Sequence, residues 1–279
     1  MPNNILKGKR GIIFGALDNK SIAWKVAEHA HEEGAKFVLT NAPIALRMGT
    51  INELAKKTDS KVISADATSM QDLKALYKDA MEELGGKIDF ILHSIGMSVN
   101  VRKGKKYYEQ NYDWNIKGYD VSALSFHKVI QAAWELDAMN KWGSIIGLSY
   151  IAAQRVFHTY NDMADNKAML ESIARSFGYH YGIRRKVRVN TISQSPTNTT
   201  AGSGVAGFDG FYRFANDLSP LGNASSDDCA EYCISLFSDY TRKVTMQNLF
   251  HDGGFSFTGM SETAMETYLK MMEEEKKEK

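Results

Sequence analysis

The chain has 279 residues, with 34 Lys and Arg against 33 Asp and Glu, 43% hydrophobic residues, 22 Gly, 4 Pro and 2 Cys. A charge balance this near neutral excludes a polyanion-coating protein, and the apolar content excludes a chain that is disordered throughout. Two cysteines exclude a disulfide framework, no apolar run approaches the roughly 18 residues of a membrane span, and Met1–Arg10 lacks the apolar core of a secretory signal, so a soluble cytoplasmic protein is expected.

In chain order, β-rich apolar runs at Gly11–Phe14, Phe37–Thr40, Val62–Ala65, Ile88–His93, Ser144–Leu148, Val187–Ile192 and Asn248–His251 read as strands. Most are near-continuous, as parallel strands covered on both faces require. Helical patterns lie between them at Ile22–Glu33, Gln71–Leu84, Ser122–Met139 and Asn161–Tyr181. In the first, Ile22, Ala23, Val26, Ala27 and Ala30 form one apolar stripe. This alternation predicts an α/β, Rossmann-type, doubly wound seven-stranded parallel sheet with helices on both faces, in a single domain over residues 1–279. Two segments break the rhythm: Gly96–Tyr119, polar and basic, and Gln194–Asp217, which holds Gly202, Gly204, Gly207 and Gly210. Both follow strands and so belong at the carboxyl edge of the sheet, where open α/β folds bind ligands. The second, about 194–217, is expected to be a lid, and Met271–Lys279 a charged, solvated, frayed tail.

At the nucleotide end, Gly15 lets the chain turn sharply off the first strand, and Ser21 is placed to cap the following helix. Exposed amides at that helix start would suit a pyrophosphate. The same residues also make an ordinary strand–helix turn, since the later glycines of the usual fingerprint are absent. Asp66-Ala67 ends the third strand, where a carboxylate could meet an adenine amino group, and Ser94-Ile95-Gly96 follows the fourth, where glycine permits close backbone approach. The second strand ends at Thr40-Asn41-Ala42, with neither an acid for a ribose hydroxyl nor an adjacent Arg for a 2′-phosphate, although Arg47 is within loop reach. The non-phosphorylated cofactor is favoured over NADPH.

At the catalytic end, Tyr160 and Lys167 are seven residues apart, a spacing that puts them on one helical face. A cation there would stabilise a tyrosinate or a developing enolate, and its other donors could hold a ribose hydroxyl. Tyr150 stands at the tip of the fifth strand, where a second phenol could border the same cavity. Cys229 and Cys233 read as buried small apolar residues on a helix beginning near Ser225, with no Cys or His nearby to complete a metal set. No metal site and no nucleic-acid module are expected.

Tyr150…Tyr160…Lys167, Gly15-x5-Ser21-Ile22-Ala23, His93-Ser94-Ile95-Gly96, Arg188-Val189-Asn190-Thr191-Ile192-Ser193 and His251-Asp252-Gly253-Gly254-Phe255-Ser256 together resemble the bacterial enoyl-acyl-carrier-protein reductases. These are a divergent branch of the short-chain dehydrogenase/reductases, marked by the long Tyr–Lys spacing. The resemblance implies NADH-dependent reduction of the trans-2 double bond of enoyl thioesters in fatty acid elongation. It places Tyr160 on the thioester carbonyl, Lys167 on the nicotinamide ribose, and Tyr150 near the substrate. It places Gly15, Ser21 and Ile22 at the pyrophosphate, Asp66 and Ala67 at the adenine, and Ser94, Ile95 and Gly96 along the cofactor. Pro196, Thr197, Thr199 and Ala201 would line the nicotinamide and phosphates, and Ser98 and Gly96 would open onto the acyl pocket. An acyl carrier protein partner and a homotetramer, built on Ser122–Met139 and Asn161–Tyr181, are also implied. Two departures stand out: Ser195 replaces an expected glycine before Pro196, and the helix near Phe208–Phe214 carries only Arg213. Carrier docking is therefore expected at Arg102, Lys103, Lys105 and Lys106. The rivals are a ketone- or alcohol-acting dehydrogenase of the superfamily and a non-catalytic nucleotide-binding regulator.

Overall fold

The computed structural model describes residues 3–200, 202–205 and 207–277. Seven strands, β1 (Arg10–Phe14), β2 (Lys36–Thr40), β3 (Lys61–Val62), β4 (Ile88–His93), β5 (Met139–Ser149), β6 (Arg188–Gln194) and β7 (Asn248–His251), form one sheet in the order 3-2-1-4-5-6-7. Every pairing is parallel. The helices are α1 (Ile22–Glu32), α2 (Pro43–Met48), α3 (Ile51–Lys57), α4 (Met70–Glu83), α5 (Val99–Arg102), α6 (Tyr112–Tyr119), α7 (Ser125–Glu135), α8 (Asp162–Arg185), α9 (Phe208–Leu218), α10 (Ser226–Phe237) and α11 (Glu262–Lys277).

Alternate strand residues feed two cores, because successive side chains of a strand point to opposite faces. Ile12, Ile91, Ile145 and Val189 pack against α4, α7 and α8, while Ile13, Leu39, Leu92, Ile146 and Ile192 pack against α1, α3 and α10. Cys229 and Cys233 lie fully buried in the second core as free thiols, as expected. A third, smaller cluster joins Tyr150, Ile151, Ala152, Ala215, Leu218 and Phe255 at the carboxyl edge.

The expected helix Ser122–Met139 is corrected at both ends. Helical structure starts at Tyr112, passes through a π-helical turn at Asp120–Leu124 and stops at Glu135. Asp137 takes φ +49°, which no helix interior accommodates, and Met139 opens β5. The expected loop Gly96–Tyr119 therefore holds α5 and α6. Residues 271–277 are exposed, as expected, but continue α11 rather than fraying from it.

Register fixes what sits at the ligand edge. Phe14 pairs with both Thr40 and His93, His93 with Gly147, Ser149 with Ser193, and Gln194 with His251. The chain leaves β1 toward β2 on one side and returns to β4 on the other, which makes the switch point beside β1 and β4.

Candidate active site

A cavity of about 220 Å³ opens at this edge, and Tyr150, Tyr160 and Lys167 all line it. Tyr160 does not ride on α8, as its spacing from Lys167 suggests. It ends a turn that follows β5, and the helix begins two residues later at Asp162. The turn still brings the pair to one cavity. The rings of Tyr150 and Tyr160 lie 5.1 Å apart, centroid to centroid. Lys167 is buried and donates to the Leu148 carbonyl at 2.7 Å. This is its one hydrogen bond to protein among the described residues, so two ammonium N–H groups are available.

Burial sets the protonation states. It pushes both phenols above the usual tyrosine range, so Tyr160 is a hydroxyl donor and not a resting tyrosinate. Burial pulls Lys167 down to about 8, against an opposing pull from Glu171. His93, buried and repelled by Lys167, falls to about 3 and stays neutral. Of the two roles open to the cation, stabilising tyrosinate or stabilising an oxyanion on a ligand, only the second matches these states.

The nucleotide end is built by close backbone packing. Gly15 sits at φ +96°, and a Cβ there would come within 2.0 Å of the Ser94 carbonyl oxygen. Any side chain would push β1 from the end of β4. Ser21 occupies the N-cap position of α1 without capping it. Its hydroxyl instead donates to the Asp18 carbonyl at 2.7 Å and accepts from the Leu17 amide at 3.3 Å, closing the turn. Ile22, Ser94, Ile95, Gly96, Pro196, Thr197 and Thr199 all line the cavity, whereas Gly15, Ser21, Asp66 and Ala67 stand outside its lining. Asp66 turns its carboxylate back onto the Thr68 amide and hydroxyl, both at 2.8 Å, and Ala67 is buried in the core. Ala201 lies outside the described residues. Ser195, the expected glycine, accepts from the Ala224 amide at 3.0 Å and so ties the loop after β6 to the start of α10. The edge fits a nicotinamide: the Tyr150 hydroxyl is buried without a protein partner, two Lys167 donors are unused, and Gly96 keeps its backbone bare toward the cavity, where a Cβ would meet Met163 Cε at 2.8 Å and stand 3.9 Å from Lys167 Nζ.

Comparison with known proteins decides the family. The profile described as enoyl-(acyl carrier protein) reductase matches residues 15–256. The chain belongs to this family. Enoyl-[acyl-carrier-protein] reductase [NADH] 1 of Rhizobium meliloti is 33% identical over 92% of this chain and 94% of its own. The FabI enzyme of Bacillus subtilis is 28% identical over 92% of this chain and 99% of its own. The crystal structure of a FabI–NADH complex from Alistipes finegoldii superposes with a TM-score of 0.93 at 63% identity, covering 95% of this chain and 94% of that one.

The same edge of the sheet holds residues that the sequence alone does not single out. Glu171, one helical turn beyond Lys167, is buried and accepts from Ser149 Oγ at 2.7 Å and Gln154 Nε2 at 3.1 Å. The four-residue step from Lys167 is the signal that could have found it. Ser98, expected to open onto the acyl pocket, lines the cavity, with its hydroxyl engaged in protein bonds. It donates to Asp162 Oδ1 at 2.5 Å and accepts from the Val101 amide at 3.0 Å, as the N-cap of α5. Helix α9, in the segment expected to be a lid, sets Phe211 edge-on to Tyr150 and Phe157, with ring centroids at 5.6 and 5.8 Å.

Proposed function

We propose that the chain reduces the trans-2 double bond of enoyl thioesters in fatty acid elongation, with NADH as reductant. The observation that carries the reading is the convergence of a protonated Tyr160 and the buried, cationic Lys167 on one cavity at the carboxyl edge of the sheet. Bound NADH supplies the hydride that the β carbon takes up. As that bond forms, the π electrons move to the thioester oxygen, and Tyr160 donates a hydrogen bond to the growing enolate. Lys167 holds the ribose with its free donors and adds positive charge beside the same oxygen. The Leu148 carbonyl fixes the ammonium, and Glu171 lies one turn behind it. A proton then reaches the α carbon. Tyr150, with its hydroxyl unpartnered, borders the substrate. Gly15, Ser21, Asp66 and Ala67 support the adenosine and pyrophosphate end from outside the cavity, and Ser94, Ile95, Gly96, Pro196, Thr197 and Thr199 follow the cofactor toward its nicotinamide.

The substrate arrives on an acyl carrier protein, which is acidic. Arg102, Lys103, Lys105 and Lys106 are exposed, and Arg102 also lines the cavity. The lid helix is the poorer dock, with Asp209 and Asp217 against a single Arg213 that already faces Asp217 at 3.7 Å. Exposed Ile116, Leu124, Tyr179 and Ile183 on the helices from α6 to α8 support a homotetramer. Free, buried thiols support a reducing, cytoplasmic setting, and among the described residues no helix is long and apolar enough to cross a membrane.

The test follows NADH oxidation with a trans-2-enoyl group carried on acyl carrier protein or on coenzyme A. Lys167→Ala is expected to lower kcat by about 100-fold or more, and Tyr160→Phe by a comparable factor. Reversing the four loop charges should raise KM for the carrier-linked substrate alone. Reduction of a β-ketoacyl thioester in place of the enoyl substrate would move the chain to the ketone-acting branch. Tight NADH binding without any reduction would make it a regulator.

A further inference from the structure

Tyr160 owes its place outside α8 to the residue that follows it. Asn161 has φ +46° and ψ −137°. That ψ lies far from the left-handed helical well where asparagine is at home, in a region that glycine takes freely and other residues resist. The side chain is buried, 2% exposed, and makes three local ties. Its Oδ1 accepts from the Asp162 amide at 2.7 Å and from Gln110 Nε2. Its Nδ2 donates to the Lys105 carbonyl at 2.5 Å. A non-glycine residue stays in such a conformation only where its surroundings over-determine it. Here the surroundings are the backbone and side chain of the basic segment Lys105–Gln110.

We propose that Asn161 is the positioning residue for Tyr160, holding a reversed turn that aims the phenol into the cavity. If residue 161 relaxed to the helical region, α8 would extend backward and carry Tyr160 onto its own surface. The hydroxyl would then leave the place where the thioester oxygen forms, while Lys167, set by the helix and by Leu148, would stay. The side chain of Asn161 thus stabilises the turn, and the turn orients the phenol. The proposal rests on the reductase reading for what Tyr160 does, but its structural half stands separately.

The experiment compares Asn161→Ala with Asn161→Gly, using a coenzyme A-linked enoyl substrate so that carrier docking plays no part. Alanine lacks the ties and resists the turn, so kcat should fall by about 100-fold, the scale of a misplaced catalytic group, with KM for NADH unchanged. Glycine lacks the ties too, but adopts the turn without strain and should return most of kcat. In the cofactor-free protein, amide exchange across residues 158–163 should accelerate in the alanine variant and less so in the glycine variant. An alanine variant with wild-type kcat, or a glycine variant as slow as alanine, would overturn the proposal. If alanine does not fold, Asn161→Ser makes the same comparison. A wild-type enzyme inert on enoyl thioesters would refute the reductase reading instead, and the exchange pattern alone would then decide the role of Asn161: unchanged exchange in the alanine variant overturns it.

Discussion

The two long segments at the carboxyl edge, 96–119 and 194–218, both line the cavity, but opposite kinds of interaction hold them. The first is knitted by polar groups. Ser122 Oγ accepts from the Met97 amide at 2.8 Å, the Asn111 amide donates to Asn100 Oδ1 at 3.0 Å, and Ser98 and Asn100 converge on the Asp162 carboxyl at 2.5 and 3.1 Å. The second rests on rings: Phe211 of α9 is set against Tyr150 and Phe157 at centroid distances of 5.6 and 5.8 Å, Phe214 against Phe255 at 6.2 Å, and Phe208 backs Phe211 at 6.2 Å. Its polar ties gather mainly at its start, where Gln194 Oε1 meets His251 Nδ1 at 2.8 Å and Ser195 Oγ accepts from the Ala224 amide at 3.0 Å; farther along, Thr200 Oγ1 donates to Asp18 Oδ2 at 2.6 Å and the Tyr212 carbonyl accepts from Asn223 Nδ2 at 2.8 Å. Hydrogen bonds between buried groups are directional and lose their energy over a few tenths of an ångström, whereas apolar contact is non-directional and survives sliding. The polar side accordingly holds the reacting groups in place, and the aromatic side yields to acyl chains of different shape.

Breaking the polar side should cost most. Asp162 is fully buried at the first turn of α8, and Asp162→Ala leaves Ser98 Oγ without its acceptor and takes from Asn100 Nδ2 one acceptor of several, the Asn111 carbonyl at 3.2 Å remaining. At 1–3 kcal/mol for the stranded hydroxyl, and about 1 kcal/mol more for the lost charge-assisted bond from Asn100, stability should drop by about 3 kcal/mol. A lower urea midpoint with unchanged slope is the expected result, and Asp162→Asn should lose about half as much. If the alanine variant unfolds at the wild-type midpoint, the network does not hold this segment.

This contrast also explains which parts could be read from the sequence. All seven strands were visible, because runs such as Ile88–His93 are apolar on both faces and short. The aromatic side was partly visible too, as Phe208 and Phe211 lie within one glycine-rich stretch. The polar side was not. Ser98 meets Asp162 across 64 residues, and no local pattern announces such a pairing, so the sequence shows Ser98 beside the cavity but not the bonds that hold it, and Gly96–Tyr119 reads as a loop. Periodicity likewise carried the helical pattern of α7 past Glu135, because the positive φ of Asp137 leaves no trace in apolar spacing. The seven-residue spacing of Tyr160 and Lys167 implies one continuous helix. The helix starts after Tyr160, yet the turn at Asn161 delivers the phenol to the same cavity.

A change of pH should act on the polar side through Lys167 and leave the rings alone. With burial drawing its titration to about 8, the ammonium is lost above that pH. In the free enzyme kcat/KM should then fall, approaching tenfold for each further pH unit. Stability should move the other way. The unfolded chain keeps its proton up to the ordinary lysine value of 10.5, so between about 8 and 10.5 it binds more protons than the folded protein and stability rises with pH, by about 3 kcal/mol at most. Lys167→Met should abolish both slopes and raise the melting temperature at neutral pH. A kcat/KM that stays flat to pH 10 would show that no cation is needed.

The aromatic side should give the smallest effect and the most selective one. Phe211 is only half-buried, and Phe211→Ala removes edge interactions with Tyr150 and Phe157 worth about 1 kcal/mol each beyond the area they cover. The cavity is then missing part of one wall, but Tyr160 is still aimed by Asn161 and Lys167 is still held by Leu148. KM for long-chain enoyl thioesters should therefore rise several-fold, because less apolar surface of the acyl chain is shielded from water, while kcat on a four-carbon substrate stays as it was. The pairing of substrates is what gives the measurement its force. Should kcat fall equally for short and long chains, the rings would be placing the reacting groups as well as sheltering the chain, and the division of labour between the two segments would fail.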